Sequence, residues 1–262
     1  MFKDNKTIKN ILMMLLSYGI AQLLVLTIYL LLCNGVVSAV EKQINMITVI
    51  SGVFFLFWYY VTSIDMEDSI LERLSFKYIS KKNMLQIILL AICLSTFFGS
   101  ISKIVFYFNE KVNYKYMFGI YNMNSISLLS LIIFIPIIEE IIFRGFLCYE
   151  LKAKFNIEGV CIIQALIFAV MHGGTIYFIF NFVLGLVLGV LYHWTNSLHG
   201  NILFYIFYEF MGTLVLPNVN FSIVGIFIFN ILSVIFSILL VMILYKDLRD
   251  RLIKDSAWKV YS

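Results

Sequence analysis

Charge is scarce in this chain: Asp, Glu, Lys and Arg make up 13% of its 262 residues, against 62% hydrophobic, where a soluble domain carries about a quarter charged and about half apolar. A soluble globule is excluded. Proline is scarcer still, with only Pro136 and Pro217, and no long polar stretch divides the hydrophobic blocks. No domain boundary is marked, so a single membrane domain over residues 1–262 is expected. The four cysteines, Cys33, Cys93, Cys148 and Cys161, lie in or at apolar segments without C-x-x-C spacing. That pattern offers neither a disulfide framework nor a zinc knuckle, and reads as buried thiols. No basic cluster with interleaved aromatics occurs, so no nucleic acid partner is expected. Neither half of the chain repeats the other, which argues against a transporter built from inverted repeats.

What the chain does have is apolar runs long enough to cross a bilayer core, about twenty residues each. They fall at roughly 10–34, 44–64, 84–107, 125–147, 159–172, 176–195, 201–216 and 222–245, and the mean hydropathy is +0.96. The expected fold is all-α: a polytopic transmembrane bundle of about eight helices in a lipid bilayer. Lys3, Lys6 and Lys9 precede the first run, Arg73, Lys77, Lys81 and Lys82 follow the second, Lys152 and Lys154 follow the fourth, and Lys246, Arg249, Arg251, Lys254 and Lys259 crowd the tail. Positive charge is retained inside. Both termini are therefore expected to be cytoplasmic. The first run is too long for a cleaved signal and no A-x-A site follows it, so it reads as a retained anchor. Met66, Ile70, Leu74 and Tyr78 recur one helical turn apart in the second loop, which predicts a helix lying on the inner leaflet. The tail, with Leu248, Leu252 and Trp258, has the same character, whereas the Tyr- and Asn-rich stretch 109–124 should face outward. Gly185 and Gly189 form a small-xxx-small pair that lets another helix approach.

One cluster breaks the apolar pattern. Glu139 and Glu140 stand inside SISLLSLIIFIPIIEEIIFRGFLCYE, with Arg144 beyond them. A lone charge at mid-bilayer costs about 2.5–3.5 kcal/mol on insertion scales, so such groups need partners, water or a metal. Glu140 and Arg144 are i and i+4 and share a helix face. Glu139 lies about 100° round the helix, free to address a cavity instead. Desolvation beside a second carboxylate favours proton uptake, the property a general base needs. Pro136 removes a backbone donor just before the site. His172 ends the next apolar segment in FAVMHGG, where an imidazole can ligate a metal or polarise a carbonyl. The bland reading is a buried ion pair that fixes helix register, with a structural histidine nearby.

EEIIFR fits E-E-x-x-x-R, FAVMH fits F-x-x-x-H, and Phe182, Gly185 and Gly189 fit F-x-x-G-x-x-x-G. In this order and spacing the motifs resemble the CAAX prenyl protease and bacteriocin-processing family of intramembrane proteases, called CPBP or Abi, over roughly 125–211. The resemblance implies a helical bundle around a wet, conical site near the cytoplasmic face. By that resemblance Glu139 activates a water for attack on a peptide carbonyl, Glu140 and Arg144 hold the helix, and His172 binds a metal or stabilises the oxyanion. The cofactor so implied is a divalent metal, zinc, and the partner a membrane-associated peptide or protein.

The resemblance breaks in its third motif. After Thr195, Asn196, Ser197 and Leu198, the family carries a histidine and, four residues on, Asn or Asp; this chain has Tyr205 and Glu209 there, and its other histidines, His193 and His199, lie N-terminal to that position. Tyr205 can serve as an oxyanion donor and Glu209 as a carboxylate metal ligand. Against that, a phenol is a poorer neutral ligand than imidazole. Two functions remain open: an intramembrane endopeptidase in peptide processing or bacteriocin self-immunity in a bacterial cell membrane, or a degenerate scaffold of the same fold that binds a partner without cutting it.

Overall fold

The computed structural model describes residues 2–62, 70–108, 123–173, 175–219 and 222–258. Its helices are α1 (Phe2–Leu32), α2 (Val37–Thr62), the single turn α3 (Ile70–Arg73), α4 (Lys81–Phe108), α5 (Ser125–Lys152), α6 (Ile157–Met171), α7 (Thr175–Thr195), α8 (Leu198–Asn218) and α9 (Ile223–Trp258). Among the described residues the fold is all-α, and seven of these helices are long and apolar enough to cross a membrane. The remaining apolar run, the fifth in chain order, forms α6, a shorter helix of 15 residues.

The chain forms two compact units, Met1–Phe76 with Asn122–Leu198 and Lys77–Tyr121 with His199–Ser262. In the first, α1 pairs with α2 and α6 with α7, while α5 packs on α2. Helix α5 is the buried element, with 56% of its most apolar window inside. Two side-chain-free positions set these packings. A Cβ on Gly52 of α2 would stand 2.5 Å from Ile138, the residue before Glu139, and one on Gly185 of α7 would stand 3.0 Å from the Ala165 backbone of α6. The Gly185/Gly189 pair is thus a site of close helix approach, as its spacing predicts.

Helix α5 is not uniformly α-helical. Its stretches Ser130–Phe134 and Ile141–Leu147 are wide π turns, in which Ile135 N–H reaches back to Ser130 O and Cys148 N–H to Phe143 O. Helix α8 has a third at Met211–Val215. Pro136 and Pro217 each follow one of them closely, because a proline cannot donate to the carbonyl four residues back and the chain rewinds ahead of it. Asn124 caps α5, its side-chain oxygen accepting from Ser127 N–H at 2.7 Å, and Asn156 caps α6 in the same way from Gly159 at 3.0 Å.

The inner-leaflet helix expected through Tyr78 is shorter than its periodicity suggests. Met66 lies outside the described residues, α3 ends at Arg73, Ser75 has φ +28°, and Leu74 is buried against Gly145. Long-range bonds override the pattern: Leu198 N–H donates to Ser75 O at 3.0 Å, and Ser75 Oγ donates to Asn196 O at 2.7 Å. Arg73 is likewise buried, its guanidinium donating to Tyr59 Oη at 3.1 Å. The side chains of Leu248, Leu252 and Trp258, and most of the stretch 109–124, lie outside the described residues.

In the second unit α4 packs along α9. Ser95 Oγ donates to Tyr208 O at 2.8 Å, just ahead of the π turn of α8, and Lys103 Nζ donates to Leu216 O and Val219 O at 2.7 Å each. These bonds satisfy carbonyls that an irregular helix end leaves open.

Candidate functional site

Glu139 and Glu140 leave α5 in different directions and meet different partners. Glu140 and Arg144 are both fully buried, joined at 2.8 Å between Oε1 and Nη1. Arg144 also donates from Nη2 to Gly185 O at 3.4 Å and lies over the Phe168 ring at 4.8 Å. The cation is thereby held by a carboxylate on its own helix, a carbonyl of α7 and a ring of α6. Breaking a buried pair by removing one partner costs about 3–5 kcal/mol, since the other charge is left uncompensated.

Glu139 turns to His172. Its Oε1 lies 3.2 Å from Nε2 of the imidazole, with 7% of the glutamate side chain and 24% of the histidine side chain exposed. His172 is the C-cap of α6, and its Nδ1 lies 2.7 Å from Phe168 O. A carbonyl only accepts, so Nδ1 carries a hydrogen. Nε2 then faces a carboxyl oxygen that would repel it if both bore lone pairs. A proton or a cation must sit between Nε2 and Oε1.

Second-row groups fix this geometry. The Phe168 ring lies 4.1 Å from the imidazole by centroids and meets Phe143 edge-on at 5.1 Å. Gln164, fully buried one turn before Phe168, donates to Gly185 O at 2.7 Å and to Cys161 O at 2.9 Å. Sequence reasoning passed over Gln164. Its signal was present: it is the polar residue that interrupts the interior of α6, eight residues before His172 and on the same face.

Tyr205 and Glu209 both lie on α8, in the second unit. Tyr205 is buried, and Glu209 Oε2 accepts from Thr213 Oγ1 at 3.5 Å. For the metal, the donor chemistry at the first unit's site fits in part. A His whose second nitrogen is tied to a carbonyl is the usual form of a metal ligand, and Glu139 adds an oxygen. A catalytic zinc takes three protein ligands. Among the described residues no group of three or more His, Cys, Asp and Glu side chains is placed to hold a metal.

Elsewhere in this unit an apolar groove of about 530 Å³ is lined by Leu12, Leu16, Gly19 and Leu23 of α1 and by Leu166 and Met171 of α6.

Residues 122–211 match the family described as Type II CAAX prenyl endopeptidase Rce1-like. The matched segment is the one that carries EEIIFR, FAVMH and the paired glycines, so the motif resemblance and the family match coincide. No curated protein and no solved structure matches the chain.

Proposed function

From that likeness we propose that this membrane protein is an intramembrane endopeptidase that cuts a membrane-associated peptide or protein. The observation that carries the reading is the Glu139–His172 pair, with Nδ1 tied back and Nε2 turned to the carboxylate. Glu139 takes a proton from water as the water oxygen bonds to the scissile carbonyl carbon. His172, charged through the proton it holds at Nε2, faces the oxygen that becomes negative. The proton on Glu139 then passes to the leaving nitrogen, and the carbon–nitrogen bond breaks. Glu140 and Arg144 hold α5 and touch no reacting atom. A divalent cation, zinc by the motif resemblance, would be held at His172 Nε2 in place of the proton there and would polarise the carbonyl. Peptide processing or self-immunity to a bacteriocin, in a bacterial cell membrane, would give such a reaction its setting.

The second reading, a scaffold that binds a partner without cutting it, is favoured by the third motif. Tyr205 replaces an imidazole, and Glu209 spends an oxygen on Thr213 of its own helix. One experiment separates the two. The full chain, purified in detergent, is assayed for bound zinc and for cleavage of co-expressed candidate peptides, with Glu139→Gln as control. Cleavage that the variant lacks supports the peptidase; intact peptide that co-purifies equally with both proteins supports the scaffold.

A further inference from the structure

A primary amide buried in a membrane helix is expensive unless its hydrogens are placed. Gln164 has none of its surface exposed and places both: one on Cys161 O of its own helix, one on Gly185 O of α7. The same Gly185 oxygen receives Arg144 Nη2. Helices α5, α6 and α7 therefore meet at one carbonyl. The position of the amide is dictated from α7, because a Cβ on Gly189 would overlap Gln164 Nε2. From Gln164 the same face of α6 continues at four-residue steps to Phe168, which lies under the Arg144 guanidinium, and to His172, which stacks on Phe168.

We propose that Gln164 is a positioning residue: by fastening α6 to the Gly185 carbonyl beside Arg144, it sets the register at which His172 presents Nε2 to Glu139. This rests on reading Glu139 and His172 as the working pair. The lever is short. One residue of axial slip along a helix is about 1.5 Å, enough to open a 3.2 Å contact, and α6 has no other buried polar side chain between its first turn and its end. Simple packing would require only bulk at position 164, whereas positioning requires the amide donors.

The test uses the full chain in detergent with ¹⁵N-labelled histidine. Three histidines occur, so His193→Gln and His199→Gln assign the signals. The variants are Gln164→Met, which keeps length and loses the donors, and Gly189→Ala, which displaces the amide from the neighbouring helix with one methyl group. The parent should show His172 in a single state, with Nε2 shifted by its contact with Glu139. Both variants should lose the Nε2 shift while Nδ1, bonded within α6, and the signals of His193 and His199 stay unchanged. An unaltered His172 spectrum in either folded variant overturns the proposal. Should Gln164→Met not fold, Gly189→Ala alone decides. If a cleaved peptide is found, kcat should fall by about a hundredfold, as for a misplacement of about 1 Å, with KM unchanged; a change in KM alone overturns it. If no peptide is cleaved by the parent, the peptidase reading fails while the histidine spectrum still decides the role of Gln164.

Discussion

Phe168 holds His172 twice: its carbonyl oxygen lies 2.7 Å from Nδ1, and its ring stacks on the imidazole at 4.1 Å. The first contact chooses the tautomer and the second the ring plane. Because the same ring also carries the Arg144 guanidinium at 4.8 Å, the buried cation and the imidazole rest on one side chain. The Glu140–Arg144 pair and the Glu139–His172 pair are thus mechanically connected although their charges are separately satisfied.

Replacing Glu139 with Gln should remove peptide cleavage while leaving the protein folded, because the amide keeps the shape and loses the base. Replacing His172 with Gln should slow cleavage by about a hundred- to a thousandfold, the usual effect of one lost oxyanion donor. Both are read as initial rates on a cleaved peptide. Full turnover by Glu139→Gln would remove the base from the mechanism.

Arg144→Met and Glu140→Gln should each destabilise the chain by about 3–5 kcal/mol, since each takes away the opposite charge that a fully buried group faces at 2.8 Å. The double variant should recover much of that loss. Thermal unfolding in detergent measures all three. Losses that simply add would show that the two side chains do not depend on one another.

Gly185→Val should separate α6 from α7, because the Cβ alone would already stand 3.0 Å from the Ala165 backbone. Overpacking of this kind costs about 1–3 kcal/mol. Gly19 is the comparison, since nothing lies within 4 Å of a Cβ placed there, and Gly19→Ala should be neutral. Equal unfolding midpoints for Gly185→Val and the parent would contradict the tight approach.

Glu209→Gln bears on the metal. If Glu209 supplies a carboxylate ligand, zinc content per chain should drop together with any cleavage, whereas Tyr205→Phe should lower the rate and leave zinc in place. Measuring metal by elemental analysis beside activity separates the two roles. Unchanged zinc in Glu209→Gln assigns that residue to the helix it shares with Thr213.

Much of the frame was written in composition and spacing. Apolar runs of bilayer length can satisfy their backbone only as helices, so scarce charge and long hydrophobic stretches determined an all-α membrane fold. The i, i+4 spacing of Glu140 and Arg144 determined their pairing, because four residues return the chain to the same helix face. Local periodicity could not determine the end of α3, where Ser75, Asn196 and Leu198 bond across more than a hundred residues of chain and stop the helix at Arg73. Nor could it reveal that Gln164 and Arg144 share the Gly185 oxygen, or that His172 meets Glu139. Those relations join helices distant in sequence, and only packing brings them within hydrogen-bond reach.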